Sequence, residues 1–222
     1  MITYKDAVNE VLMRMREDTV ATIGSSRLAV TDDPVVDIVK LAVSDSLRFC
    51  ENAHNWNALR HDWTVNTVAG THTYALTGAN NCATIESVYG DNGAVIKNTP
   101  LSEIHRRSAS QASVVGIPSV WALNGQDNNG DMRIRLFNTP DSSGVVTVHG
   151  FLKSSSLNLD GDKIRIPELP VIYLALAKAS AERGETGGSQ ATELFQLADR
   201  YLKDAIGRDA ANTDLDNDWI VH

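Results

Sequence analysis

The sequence predicts an α+β fold: an antiparallel helix bundle built from the N- and C-terminal helices, with an inserted, mostly antiparallel β-rich lobe. Three observations carry this. Apolar residues recur with a helical period at both ends of the 222-residue chain, from Thr3 to Trp56 and from Pro167 to Ala211. Between them the period falls to two and turn signals recur. Helical segments so far apart in sequence bury their apolar faces most simply against each other. The expected organisation is therefore residues 1–58 and 167–211 as the bundle, 59–166 as the inserted lobe and 212–222 as an extended C-terminal tail.

The first helix opens on Thr3 with Asp6 three residues on, a capping-box arrangement in which the hydroxyl serves the exposed amides. Val8, Val11, Leu12, Met15 and Thr19 follow on one face, and the helix is expected to stop near Gly24. Asp33 before Pro34 marks a second start, an acidic cap ahead of a proline in the first turn. Val35, Val39, Ala42, Val43, Leu47, Cys50 and Ala53 then form a wide apolar stripe toward Trp56, so this helix should be largely buried.

From Asp62, Trp63, Val65 and Thr67 alternate with their neighbours as a strand does. Further runs cover Thr71 to Leu76, Thr84 to Tyr89, Ala94 to Lys97, Ser119 to Leu123, Met132 to Phe137 and Val145 to Leu152, separated by Gly, Asn and Asp turns. About seven short strands argue for a sandwich or barrel-like lobe, crossed by one short helix near Pro100 to Arg107. A third helix begins after Ile166-Pro167; its alanines at 175, 177, 179 and 181 allow close approach by a neighbour. Gly184 to Gly188 ends it, and Ser189 caps a fourth helix bearing Leu194, Leu197, Ala198, Tyr201, Leu202 and Ala205.

Charge and motifs narrow the function. With 20 basic and 28 acidic residues the net charge is -8, unsuited to gripping nucleic acid by its phosphates and suited to a surface that nucleic acid passes without sticking. No stretch reads as a signal sequence or membrane span. Cys50 and Cys82 read as ordinary thiols of a reducing compartment. Phosphate loops, nucleophile elbows and dinucleotide fingerprints do not occur, so no catalytic, cofactor-binding or metal residue is assigned. Asp214, Asp216 and Asp218 alternate as in a calcium loop, but Trp219 stands where that loop needs glycine. Asp127, Asn129 and Asp131 around Gly130 read first as a hairpin turn, and the histidines lack metal spacing.

Two sets of residues remain as interaction candidates. The last stretch pairs an acidic spacer, Asp214, Asp216 and Asp218, with an apolar end, Trp219, Ile220 and Val221: a tail anchoring in another subunit, or a terminus folding back on its own core. His105, Arg106 and Arg107 form the dense basic group of the mid-chain, and Arg133 and Arg135 share one face of a predicted strand. These suit a subunit interface or a solvated face.

The chain resembles the head-to-tail adaptor (connector) proteins of tailed bacteriophages, including the tail tubular protein A type. The resemblance rests on Phe49-Cys50-Glu51-Asn52-Ala53-His54-Asn55-Trp56 followed by Trp63-Thr64-Val65, and on Ile164-Arg165-Ile166-Pro167. It rests also on the helix ending Ala181-Glu182-Arg183-Gly184-Glu185 and on Ala198 to Ala205 in the last helix. It implies a structural protein without enzyme activity or cofactor: a dodecameric ring in the virion, beneath the portal protein, joined to the tail nozzle or tail tube and surrounding the DNA exit channel. It also implies that the C-terminal segment docks on the portal. The strand block is longer than in the smallest members, which leaves the lobe's own partner open among nozzle, tail fibres and neighbouring subunits. The rival expectation is a ligand- or carbohydrate-binding β-sandwich on a helical stalk, with Trp63, Tyr74, Tyr89 and Trp121 as candidate contact aromatics.

Overall fold

The computed structural model describes residues 1–24, 28, 30–79, 82–110, 114–154, 157–184 and 189–214. The chain divides into two compact units, Met1–Leu59 with Ser156–His222, and Arg60–Ser155.

Among the described residues the first unit holds four α-helices: α1 (Tyr4–Arg14), α2 (Pro34–Ala53), α4 (Glu168–Arg183) and α5 (Ser189–Asp214). Local chemistry sets their starts. Thr3 Oγ1 accepts the Asp6 amide at 3.2 Å and donates to Asp6 Oδ2 at 2.5 Å, capping α1. Asp33 accepts the Val35 amide at 2.8 Å ahead of Pro34, capping α2. Strand β1 (Ile2–Thr3) pairs antiparallel with β9 (Lys163–Ile164), which ties the chain's start to its returning leg.

Helix α4 packs against α1, α2 and α5. Its buried Ala175, Ala177 and Ala179 explain how one helix accepts several neighbours, since short side chains let backbones approach. One core joins Val8, Leu12, Val39, Leu47, Ile172 and Leu202 from all four helices. Two buried polar contacts lock it: Tyr4 donates to the Lys40 carbonyl at 2.9 Å, and the Trp56 indole donates to the Cys50 carbonyl at 2.9 Å.

Several boundaries differ from expectation. Helix α1 stops at Arg14, well short of Gly24, so Thr19 is not helical. The cause is a complete left-handed stop: Arg16 N–H reaches the Met13 carbonyl at 3.1 Å, Glu17 N–H reaches that of Leu12 at 3.0 Å, and Arg16 has φ 63°. Glycine usually fills that position, so the sequence carries no sign of it. Helix α2 ends at Ala53 because His54 is extended. Helix α5 runs to Asp214, so residues 212–214 continue the helix instead of opening the tail.

Among the described residues the second unit contains two sheets. Strands β2 (Arg60–Thr67), β8 (Gly144–Leu152) and β4 (Ala83–Tyr89) form one, antiparallel throughout with β8 central. The other has the order β3-β7-β6-β5, from β3 (Thr73–Ala75), β7 (Met132–Phe137), β6 (Val120–Gln126) and β5 (Lys97–Asn98). Here β5 pairs parallel with β6, and an isolated bridge between Val115 and Thr139 is parallel as well; the other strand pairs are antiparallel. The expected strand at Ala94 to Lys97 is reduced to the start of β5 and a bridge between Tyr89 and Val95. Both sheets bury one cluster, with Trp63, Val65 and Val148 from the first and Trp121, Ile134 and Leu136 from the second.

Helix α3 (Leu101–Ser110) connects β5 to β6 and buries Ile104 against Ala122 and Phe137. Gly150 is required at the bulge of β4: a Cβ there would stand 2.2 Å from the Thr84 carbonyl oxygen.

Candidate functional site

The basic group of the second unit is assembled from α3 and β7. Strand alternation turns Ile134 and Leu136 into the core, leaving Arg133 and Arg135 together on the opposite face. Arg135 Nη1 lies 3.1 Å from His105 Nε2, so the two predicted sets, on helix and strand, do meet. The Nε atoms of both Arg133 and Arg135 are buried without a hydrogen-bond partner. Burial, and then the Arg135 charge, hold the His72 imidazole below its usual range.

Sequence reasoning missed what Glu103 does here. It accepts from Arg106 at 2.8 and 2.7 Å and from Arg107 at 2.8 Å, one carboxylate between two guanidiniums a turn away. These bonds hold its carboxyl down at about 2 and raise Arg106. The i, i+3 and i, i+4 spacing was present in the sequence and is the signal that finds it. Glu103 therefore offsets one of the two guanidinium charges of α3.

Of the other predicted tail residues, Asp214 closes α5; Asp216, Asp218, Trp219, Ile220 and Val221 lie outside the described residues. Further groups are fully engaged. Asp127 accepts the amides of Asn129 and Asp131 at 2.8 and 2.9 Å, and Asp131 accepts that of Gly78 at 3.0 Å, which makes this loop a self-satisfied turn. His54 Nε2 meets Asp209 at 3.0 Å, and Asp209 also accepts the Asn57 amide at 3.0 Å. Burial pushes the Cys50 thiol up to about 12, so it stays protonated and unreactive. Among the described residues no group of three His, Cys, Asp or Glu can hold a metal ion, and no helix is long and apolar enough to cross a membrane.

The aromatics of the carbohydrate-binding expectation are spent on packing. Trp63 and Trp121 are 4% and 3% exposed. The Tyr74 hydroxyl donates to the Thr71 carbonyl at 2.7 Å and accepts the Val68 amide at 3.1 Å, closing its own turn. Tyr89 stands edge-on to His149, which pairs with Asp62. Of the four, the two tryptophans are buried and the two tyrosines half-buried.

A second basic site lies in the first unit and was not legible in the sequence. Where α1 and α4 end, Arg14, Arg16 and Arg183 line a cleft of about 430 Å³ with Met15, Leu176, Ser180, Gln190 and Leu194. Arg14 is held by Glu10 at 2.6 Å and the Tyr173 hydroxyl at 2.8 Å, and Arg183 by Glu17 at 2.5 Å. The Glu10 and Tyr173 bonds outweigh burial and raise Arg14 above its ordinary value.

What the described residues present, then, is two compact units with charged surfaces and apolar cores, and no group of three metal-ligating side chains. No curated protein matches the chain. A model of the SU10 adaptor protein family matches residues 2–218, across both units, and the chain belongs to that family of structural bacteriophage adaptors.

Proposed function

We propose that this adaptor is a head-to-tail connector of the tail tubular protein A type. In this reading it forms a dodecameric ring beneath the portal protein, joins the capsid to the tail nozzle or tail tube, and surrounds the DNA exit channel. The observation that carries the reading is the family match over residues 2–218, which includes helices and strand block alike. The first unit serves as an antiparallel bundle and the inserted lobe as a second contact surface. A net charge of -8 suits a channel wall that DNA must pass.

A closed ring of identical subunits uses heterologous contacts and needs two different patches per chain. Exposed apolar side chains on each unit are available for this, with Phe49 on α2 at 57% and Ile117 before β6 at 69% exposure. The α3 and β7 basic group, His105, Arg106, Arg107, Arg133 and Arg135, serves as a further subunit contact. The tail is the portal-docking element, with Trp219, Ile220 and Val221 as anchors and Asp214, Asp216 and Asp218 as the spacer.

Deleting residues 215–222 tests this. The truncated chain is expected to keep its circular dichroism and melting temperature and to lose co-sedimentation with purified portal. A truncated protein that docks as well as the full chain removes the tail from the assignment.

A further inference from the structure

The arginine cleft of the first unit has a feature that packing does not account for. Arg14 and Arg183 sit in the last turns of α1 and α4, where a cation complements the helix dipole, and each has a glutamate partner. Arg16 has no acidic partner among the described residues. It lies past the end of α1 in a backbone conformation that glycine fills more easily (φ 63°), and it is exposed at the cleft. In a chain with eight more acids than bases, three guanidiniums line this cleft and, among the described residues, no carboxylate does.

We propose that this cleft binds the acidic C-terminal segment of a second copy of the chain, through Asp216 and Asp218. Charge complementarity is the first argument: Arg14 and Arg183 are engaged by Glu10 and Glu17, and Arg16 beside them carries the cleft's excess positive charge, which two carboxylates at alternate positions complement. Reach is the second. Gln190, in the first turn of α5, lines the cleft, whereas the segment leaves from Asp214 at that helix's other end. The helix between them spans about 36 Å, and Asp218 lies at most about 14 Å beyond Asp214 even when fully extended. A chain therefore cannot fill its own cleft with these residues. Filling the cleft of a neighbour makes a heterologous contact, the kind that propagates around a ring.

This deepens the connector reading and rests on it in one respect: the acidic spacer is held by the neighbouring subunit while Trp219, Ile220 and Val221 continue to the portal. The two roles separate experimentally. A fluorescent peptide of residues 212–222 is titrated against the chain truncated after Asp214, with binding read by anisotropy. The expected result is saturable binding that weakens with salt, falls at least about tenfold with Arg16→Glu, and recovers toward wild type when the peptide carries Asp216→Lys and Asp218→Lys. Arg16→Gly, which suits the local backbone, is the second variant and is expected to weaken binding without unfolding the chain.

Equal binding to wild type and both variants overturns the proposal. So does a cleft that ignores the peptide and binds a DNA duplex or inorganic phosphate through the same arginines. Portal docking that is lost on truncation while the peptide fails to bind also overturns it and leaves the portal reading standing. Peptide binding through Arg16 alongside undiminished portal docking of the truncated chain supports the cleft and removes the portal role of the tail.

Discussion

The two arginine groups are built in opposite ways. On α3, Arg106 and Arg107 are adjacent in sequence and share one carboxylate, Glu103, in their own helix. In the first unit, Arg14, Arg16 and Arg183 come from two distant segments, and among the described residues none that lines their cleft is acidic. Both groups keep one guanidinium in excess of their carboxylates: on α3 the excess is shared around Glu103, whereas in the cleft Glu10 and Glu17 pair Arg14 and Arg183 and leave it on Arg16. Charge density along a chain says little about what a partner meets; the local carboxylates decide it.

The largest expected effect contrasts the groups directly. Arg16→Glu is expected to weaken binding of the acidic segment at least about tenfold, or about 1.4 kcal/mol or more. Arg106→Glu should leave it within about twofold. Anisotropy titrations of both variants at one salt concentration make the comparison, and equal losses would mean that long-range charge alone governs the interaction.

A second effect separates binding from stability. Arg16 occupies the left-handed stop of α1, so Arg16→Gly should raise stability by up to about 1 kcal/mol while weakening the contact. Urea unfolding of the truncated chain measures the first, and a midpoint that falls would show that Arg16 supports the fold by a contact of its own.

These contrasts also mark how far the sequence could be read. The starts of α1 and α2 were legible because Thr3 with Asp6, and Asp33 with Pro34, satisfy exposed amides within one turn. The alternation of Trp63, Val65 and Thr67 was legible because a half-buried strand has a period of two. The end of α1 was hidden, since an arginine stands where glycine would have announced the turn. The cleft was hidden for a different reason: Arg16 and Arg183 meet only through the packing of α1 against α4, a long-range event with no local signature. The aromatics misled because a tryptophan on a strand has the same sequence signature whether it faces a ligand or, like Trp63 and Trp121, the core.

A smaller effect converts one group toward the other. Glu103→Gln removes the shared carboxylate and leaves Arg106 and Arg107 without their acid. A slight drop in melting temperature is expected, together with a new salt-dependent affinity for acidic peptides on the second unit. An α3 surface that remains inert to such peptides would show that Glu103 is not what masks it.

The smallest effect is the pH dependence of the same contact. The Glu103 carboxyl is held at about 2, below its ordinary 4.5, by its bonds to Arg106 and Arg107. A depressed carboxyl contributes stability that is fully present above its unfolded value and is lost as pH falls through its folded one. The contribution to α3 should therefore hold down to about pH 4.5 and disappear toward pH 2. Glu103→Gln, with no carboxyl at that position, should lack this component, so the difference in melting temperature between the two proteins should narrow across that window. A difference that stays constant from pH 5 to pH 2 would show that the arginines do not select the ionised carboxylate, and that Glu103 supports α3 through packing alone.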